Sequence, residues 1–173
     1  RTVFVVLTKP VGRHQFLLGK FFGLASTLFV LWAAMAATYL ALVFFLAHSL
    51  SGQTFLALFF ILVELVLLTA LSLFFSTFAS PVMSMVYVFS LFFVGHNSAT
   101  WKFLAQKASP LVRFFTDVAY YVLPNLKDLD FKEAAVYALS VDPVRVLQSL
   151  SYGIAYTSFL LAAAVIVFSL REF

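Results

Sequence analysis

The chain has no cysteine and few charged residues, and each absence excludes a class of protein. Without cysteine there are no disulfide bonds, no thiolate chemistry and no cysteine-ligated metal sites. Only 10% of the 173 residues are charged while 64% are hydrophobic, and a soluble domain of this size cannot cover so much apolar surface. The net charge of +4 is small and its basic residues are scattered, unlike the basic face of a nucleic-acid-binding protein. Lipid must therefore solvate much of the chain.

The patterns that mark common enzyme sites are also missing. The three histidines show neither metal-ligand spacing nor a neighbouring carboxylate, and no nucleophile–base pair is visible. A phosphate-binding loop needs four residues between its glycines and a Ser or Thr after its lysine. Between Gly12 and Gly19 there are six residues, and Phe21 follows Lys20. The sequence therefore predicts no catalytic residues, no metal site and no cofactor or nucleotide bound by this chain.

Four long apolar runs dominate what is present. A bilayer core needs about 20 apolar residues of helix, and backbone amides in lipid must be satisfied within the segment. The second run contains one charged residue, Glu64, and the others contain no Asp, Glu, Lys or Arg. We expect an all-α integral membrane protein with one membrane-spanning domain over 1–173 and four transmembrane helices. The predicted spans are 21–47, 53–79, 81–101 and 146–170.

The connections between these runs carry local signals for turns and short helices. His48–Gly52 predicts a tight turn, and Ser80 with Pro81 predicts an N-cap and first turn. The segment 102–145 holds more charge than the rest of the chain. Ser109–Pro110 followed by spaced apolar residues predicts an amphipathic interfacial helix that ends before Pro124. Asp130 and Glu133 predict a capping box for a second short helix, and Asp142–Pro143 predicts the start of the last helix.

The residues before the first run form a basic amphipathic stretch. Pro10 suits the first turn of a short helix, which we expect to end near Lys20 and to lie along the membrane surface. Short basic segments favour the cytoplasmic side, so we expect this stretch and Arg171 there and the segment 102–145 outside. Small residues recur at helical spacing in the first run and predict a helix-packing face. They are Gly19, Gly23, Thr27, Ala33, Ala37 and Ala41.

Glu64 is the strongest single candidate for a functional residue. A carboxylate in a span costs at least about 2.5 kcal/mol, so it faces a partner or a wet cavity. Gln53 shares its helical face, and His96 with Asn97 near the end of the third run could line a pathway with it. Two interpretations stay open: a pathway or gating role in transport, and a structural hydrogen bond to another helix.

Three segments resemble ABC-2 type permeases, in particular the branch with nitrous-oxide-reductase maturation and gliding-motility permeases. LTKPVGRHQFLLGKFFG (7–23) is similar to a "KPVSRxxFLLGK" stretch that precedes a span in that family, with Gly12 in place of Ser. YYVLPNLKDLDFKEA (120–134) is similar to "LPNLxxFDLR" between the last two spans. The ending FSLREF (168–173) is similar to "RRREF" but keeps only Arg171 of its basic residues. The resemblance covers the whole chain.

The resemblance implies a subunit of an ATP-driven transporter. It implies six spans, of which two would precede this sequence, and a coupling helix within 7–20 that docks on a separate ATPase subunit. The ATPase would bind ATP-Mg, and two permeases, identical or different, would assemble with two ATPases in the cytoplasmic membrane, with export favoured over import. The coupling contacts would be made by Lys9, Pro10, Val11, Gly12, Arg13, Phe16 and Leu17.

Other functions are consistent with the same residues. The stretch 7–20 could be a surface anchor without an ATPase partner. The protein could be a membrane anchor or assembly factor that transports nothing. It could also be an ion-coupled secondary transporter built around Glu64.

Overall fold

The computed structural model describes residues 12–48, 50–106 and 109–170 of the chain. These residues form seven α-helices and one 3-10 helix, with no strand among them. The long helices are α1 (Arg13–Ala47), α2 (Gly52–Ser76), α3 (Pro81–His96) and α7 (Pro143–Leu170). The short elements are α4 (Ser98–Gln106), α5 (Pro110–Val122), the 3-10 helix (Leu126–Leu129) and α6 (Lys132–Val136).

Three helices are long and apolar enough to cross a membrane, which confirms a multi-pass membrane protein. They are α1, α2 and α7. Most large apolar side chains of α1 are exposed, as expected for a helix whose solvent is lipid. At about 1.5 Å per residue its 35 residues span roughly 52 Å, well beyond a hydrocarbon core of about 30 Å, so α1 must tilt or project from the bilayer.

The local signals at most helix ends are confirmed. His48 closes α1 in the left-handed conformation, with φ 52°. The Ser51 side chain accepts a hydrogen bond from the Thr54 amide at the start of α2. Ser80 caps α3 in the same way, with Pro81 in the first turn. Asp142 accepts from the Val144 amide at the start of α7.

Two predicted boundaries in the first half of the chain are wrong. No break separates a surface helix from the first span, because residues 13–20 form the first turns of α1. One face of these turns packs against the rest of the chain, with Leu17 and the next-turn Phe21 buried. The predicted packing face is also wrong within the described residues, since Gly19 and Gly23 face open space. The second run ends its helix at Ser76 and not at Ala79.

The predicted third span, 81–101, is shorter than expected. α3 ends at His96 after 16 residues, or roughly 24 Å of helix, which falls below the length of a usual span. Asn97 separates α3 from α4. Another backbone approaches closely beside this break, since a Cβ on Gly95 would lie 2.5 Å from the carbonyl oxygen of Pro124.

The segment 124–136 fills the place beside α2 that α3 leaves. It is not a surface connection, because Pro124, Leu126, Leu129 and Phe131 are almost completely buried. The rings of Phe60 and Phe131 lie 4.3 Å apart between centroids. Non-helical backbone at membrane depth is tolerated where protein covers it. The segment therefore completes the wall of the bundle around α2.

The helices predicted within 102–145 are only partly as expected. α5 is confirmed from Pro110 to Val122. The predicted capping box of α6 does not form, since the N-cap is Phe131. Asp130 instead accepts from the Lys132 amide, and the Glu133 side chain contacts Lys127. Both acids also form ion pairs with lysines, and the N-cap residue Phe131 makes no side-chain capping hydrogen bond.

α2 is the centre of the bundle. It contacts α1, α3, α6, α7 and the 3-10 helix. The main cluster of buried apolar side chains lies around it: Phe21, Ala57, Phe60, Leu67, Ala70, Leu71, Leu73, Leu126, Leu129, Phe131 and Leu160.

Candidate functional site

Glu64 is the central residue of the central helix and is buried. It lies about 18 Å of helix from either end of α2, and its residue surface is only 5% exposed. A carboxylate in such a place needs a partner, since desolvation of an unpaired charge costs several kcal/mol. Two cationic or protonatable side chains lie within 4 Å of it.

The first partner is His96, the last residue of α3. Its Nε2 lies 3.4 Å from Glu64 Oε1. This contact has ion-pair distance but not hydrogen-bond alignment, and Nε2 is buried without a hydrogen-bond partner among the described residues. The other ring nitrogen, Nδ1, lies 3.3 Å from the Phe92 carbonyl oxygen. Only a ring with a proton on both nitrogens would give Glu64 an opposite charge.

The second partner is Lys132, at the start of α6. Its Nζ lies 3.7 Å from Glu64 Oε2 and 3.9 Å from Asp130 Oδ1. Both distances are longer than a hydrogen bond. The Lys132 side chain is half exposed, at 48%, whereas that of Glu64 is 7% exposed. Lys132 therefore joins the buried carboxylate to the surface of the segment 124–136.

The ion pairs continue outward from Lys132. Lys127 Nζ lies 3.7 Å from Asp130 Oδ2 and 3.3 Å from Glu133 Oε1. We call these six residues the ionic cluster: Glu64, His96, Lys127, Asp130, Lys132 and Glu133. Charges of alternating sign thus run from the middle of α2 to an exposed carboxylate. Contacts of 3.7 and 3.9 Å are ion pairs and not hydrogen bonds, so the chain of charges compensates the buried carboxylate.

Close packing of the segment 124–136 fixes the cluster in place. Leu126 and Leu129 of the 3-10 helix are 0% and 1% exposed. A Cβ on Gly153 of α7 would lie 2.8 Å from a methyl carbon of Val63 and 3.4 Å from one of Leu129. This glycine lets α7, α2 and the 3-10 helix approach closely, and the Lys132 side chain is anchored by that packing.

Hydrogen bonds hold the irregular backbone before the cluster. The Asn125 amide donates to Tyr152 Oη at 2.7 Å, and Tyr156 Oη donates to the Val122 carbonyl at 3.0 Å. The Asn125 side chain accepts from Ser98 at 2.6 Å and donates to Asp128 at 2.7 Å. Polar side chains of α7 therefore satisfy the backbone where helix α5 ends.

An apolar cavity of about 630 Å³ lies beside the cluster, between α1, α2 and α6. Lys132 is the charged residue in its wall, and Ala57, Ile61 and Trp32 are among its apolar lining. The described residues contain no group of three side chains able to hold a metal ion. The arrangement is suited to charge and proton handling next to a space between helices.

Of the four predicted pathway residues, two lie together and two lie elsewhere. Glu64 and His96 come together, as described above. Gln53 is half-buried in the first turn of α2, about 16 Å of helix from Glu64. Asn97 is exposed and donates to the Phe93 carbonyl at 2.9 Å, within its own helix end. The structure therefore brings two of the four predicted pathway residues into one site.

The predicted coupling residues lie at the start of α1. Lys9, Pro10 and Val11 fall outside the described residues. Gly12 precedes the helix, its amide donating to the Gln15 side chain at 3.2 Å. The backbone of Arg13 begins α1. Two of the predicted contacts face inward: Leu17 is buried, and the half-buried Phe16 ring stacks on Phe168 at 6.2 Å between centroids.

The sequence did not identify four members of the ionic cluster as site residues: Lys127, Asp130, Lys132 and Glu133. A buried carboxylate calls for a cation, and the segment 102–145 is the charged part of the chain. That requirement could have directed attention to its lysines. No local pattern distinguishes Lys132 from Lys127, because the choice depends on how the 3-10 helix packs.

Comparison of the chain with protein-family models, with curated protein sequences and with solved structures gives no match.

Proposed function

We propose that the chain is the membrane-spanning permease subunit of an ABC-2 type, ATP-driven transporter, in which the start of α1 receives the movement of a separate ATPase. The observation that supports this most is the continuity of α1. The described part of the stretch that resembles the family's pre-span motif, residues 12–23, leads directly into a helix of 35 residues.

A continuous helix transmits displacement as a rigid body. α1 exceeds the bilayer thickness by roughly 20 Å, so part of it lies outside the hydrocarbon core. Its first turns are tied to the bundle, because Leu17 lines a small cavity with Leu73 of α2 and Phe168 of α7. Movement imposed on these turns would therefore reach α2 and α7.

In this proposal the partner supplies the chemical energy. The ATPase subunit binds ATP-Mg and closes, α1 shifts, and the helices change between inward-facing and outward-facing states. A second permease, identical or different, completes the assembly in the cytoplasmic membrane. Export is the favoured direction. The residues available to the ATPase on the first turn include His14 and Gln15, which are exposed.

The test uses the full-length protein co-expressed with its candidate ATPase and purified in lipid. We expect co-purification and transporter-dependent ATP turnover, and we expect Arg13→Glu with His14→Glu to abolish both. Phe16→Ala is a poor choice because that ring stacks inside the chain. The matched control is Arg113→Glu, which reverses an exposed charge on α5. No association with any ATPase, from a correctly folded sample, would overturn the proposal.

The ionic cluster favours a second candidate, an ion-coupled secondary transporter. Glu64 would bind or release a proton while His96 and Lys132 compensate its charge. This candidate predicts uptake or efflux driven by a proton gradient in ATP-free proteoliposomes, and its loss in Glu64→Gln. Gradient-driven flux that is unchanged by Glu64→Gln would exclude the cluster from coupling.

A further inference from the structure

A second feature, outside the ionic cluster, concerns Lys20. This residue is exposed near the start of α1. Lys127 and Lys132 both lie beside carboxylates, whereas Lys20 makes no ion pair or hydrogen bond within the residues that the structure describes. It is a cation without a described counter-charge.

Lys20 lies at the edge of a cleft between α2 and α3. The cleft has a volume of about 660 Å³. No Asp or Glu is among its described lining residues. Its electrostatic character therefore comes from Lys20, which favours a ligand that carries negative charge.

The cleft is polar at one end and apolar at the other. Lys20 and Ser76 line it where α2 ends, and both also line a second, smaller cavity there. Leu68, Val88 and Phe92 line the part nearer the middle of the bundle. From Ser76 to Leu68 the α2 helix rises about 12 Å, which approaches the depth of one leaflet of a hydrocarbon core about 30 Å thick.

A free hydroxyl lies between the two ends. Ser76 and Thr69 of α2 donate to carbonyl oxygens of their own helix, and Ser84 donates to the Ser72 carbonyl at 3.2 Å. The Ser72 side chain makes no hydrogen bond with any part of the chain that the structure describes. Its hydroxyl is therefore available to a ligand in the cleft.

We propose that this cleft binds one membrane phospholipid with an anionic headgroup. Lys20 pairs with the headgroup, the Ser72 hydroxyl donates to an ester oxygen, and an acyl chain lies against Leu68, Val88 and Phe92. The cleft presents a cation, a hydroxyl and an apolar wall in that order. A phospholipid presents its charged headgroup, its ester oxygens and its acyl chain in the same order. A soluble anion such as inorganic phosphate would use the cation and leave the apolar wall uncovered. Basic pockets between spans are known sites for anionic headgroups.

The test compares lipid retention by the full chain. The protein is purified from micelles with equal amounts of phosphatidylglycerol and phosphatidylcholine, and retained lipid is counted by native mass spectrometry. We expect phosphatidylglycerol to be enriched about fivefold, the contribution of one lysine at a membrane surface. Lys20→Gln should abolish that preference. Arg113→Gln, which removes an exposed charge on α5, should preserve it.

A second variant tests the position of the acyl chain. Ser72→Phe places a ring in the cleft at an exposed position and should lower retention of both lipids, whereas Lys20→Gln should lower only the anionic one. Elution as a single species shows that each variant is folded. Equal enrichment in wild type and Lys20→Gln would overturn the proposal, as would an equal loss in Arg113→Gln. Displacement of the lipid by millimolar inorganic phosphate would overturn it in favour of a soluble anion.

Discussion

The phenolic oxygen of Tyr152 accepts a 2.7 Å hydrogen bond from the backbone amide of Asn125. Asn125 is buried, and it follows the point where α5 ends and the chain turns toward α2. The bond connects α7 to the irregular backbone that leads to Lys132. A side chain of one span thus accepts from a buried amide that lies outside the helices.

Tyr152→Phe should destabilise the protein because it leaves the Asn125 amide buried without an acceptor. We expect a loss of about 1–3 kcal/mol in the free energy of unfolding, measured by denaturant titration in micelles. Tyr156→Phe is the matched control. Its hydroxyl donates to the Val122 carbonyl at a more exposed position, so we expect a smaller loss, about 1 kcal/mol or less. Equal effects would show that the Asn125 amide finds another acceptor.

The contact between Glu64 and Lys132 should appear as an energetic coupling. Glu64→Gln and Lys132→Gln each leave a partner uncompensated, and the double variant removes both charges. We expect the double variant to be more stable than the sum of the two losses predicts, by about 0.5–3 kcal/mol. The Lys132 side chain is half exposed. Because water screens exposed pairs, we expect a coupling energy in the lower part of that range. Strict additivity would contradict the contact.

A single methyl group at Gly95 should disturb the site. Its Cβ would lie 2.5 Å from a backbone carbonyl oxygen, which cannot move aside as a flexible side chain can. Gly95→Ala should therefore cost about 1–3 kcal/mol in stability. Gly19→Ala is the control, because nothing described lies within 4 Å of its added Cβ. That change should be neutral or should stabilise α1 by up to about 1 kcal/mol.

Two quantities should be measured for Gly95→Ala. They are the free energy of unfolding and the accessibility of the segment 124–136 to a protease. If the carbonyl of Pro124 is displaced, proteolysis near the 3-10 helix should become faster than in the Gly19→Ala control. Unchanged stability and unchanged cleavage would mean that α3 and the segment do not approach as closely as described.

Local chemistry was sufficient to predict the elements that depend on neighbours in sequence. The four apolar runs predicted the four long helices, of which three are long enough to cross a membrane. Ser51, Ser80 and Asp142 lie at helix starts for reasons visible in a few residues. The same holds for α5, whose start at Pro110 and end before Pro124 were predicted. Here hydrogen bonds to the next turn determine the outcome.

The features that sequence missed depend on contacts between distant residues. α3 ends at His96, beside the close approach of Gly95 to the Pro124 carbonyl, although the run without Asp, Glu, Lys or Arg continues to Trp101. The segment 124–136 has enough charge to suggest a surface loop, yet Leu126, Leu129 and Phe131 bury it against α2. For the site, Glu64 and His96 were identified individually, whereas Lys132 could be selected only by tertiary packing.

The central place of Glu64 has a consequence for biogenesis. α2 is synthesised before α3 and long before Lys132, so it must enter the membrane while its carboxylate has neither partner. The many Leu, Ile, Val and Phe residues of α2 each contribute about −0.3 to −0.6 kcal/mol to insertion and can offset the cost of one acid. Pairing with Lys132 then belongs to a later step, when the segment 124–136 folds onto helices already inserted. A chain truncated after Gln106 should accordingly still insert α2, and glycosylation mapping of the turn at residues 48–51 would check this.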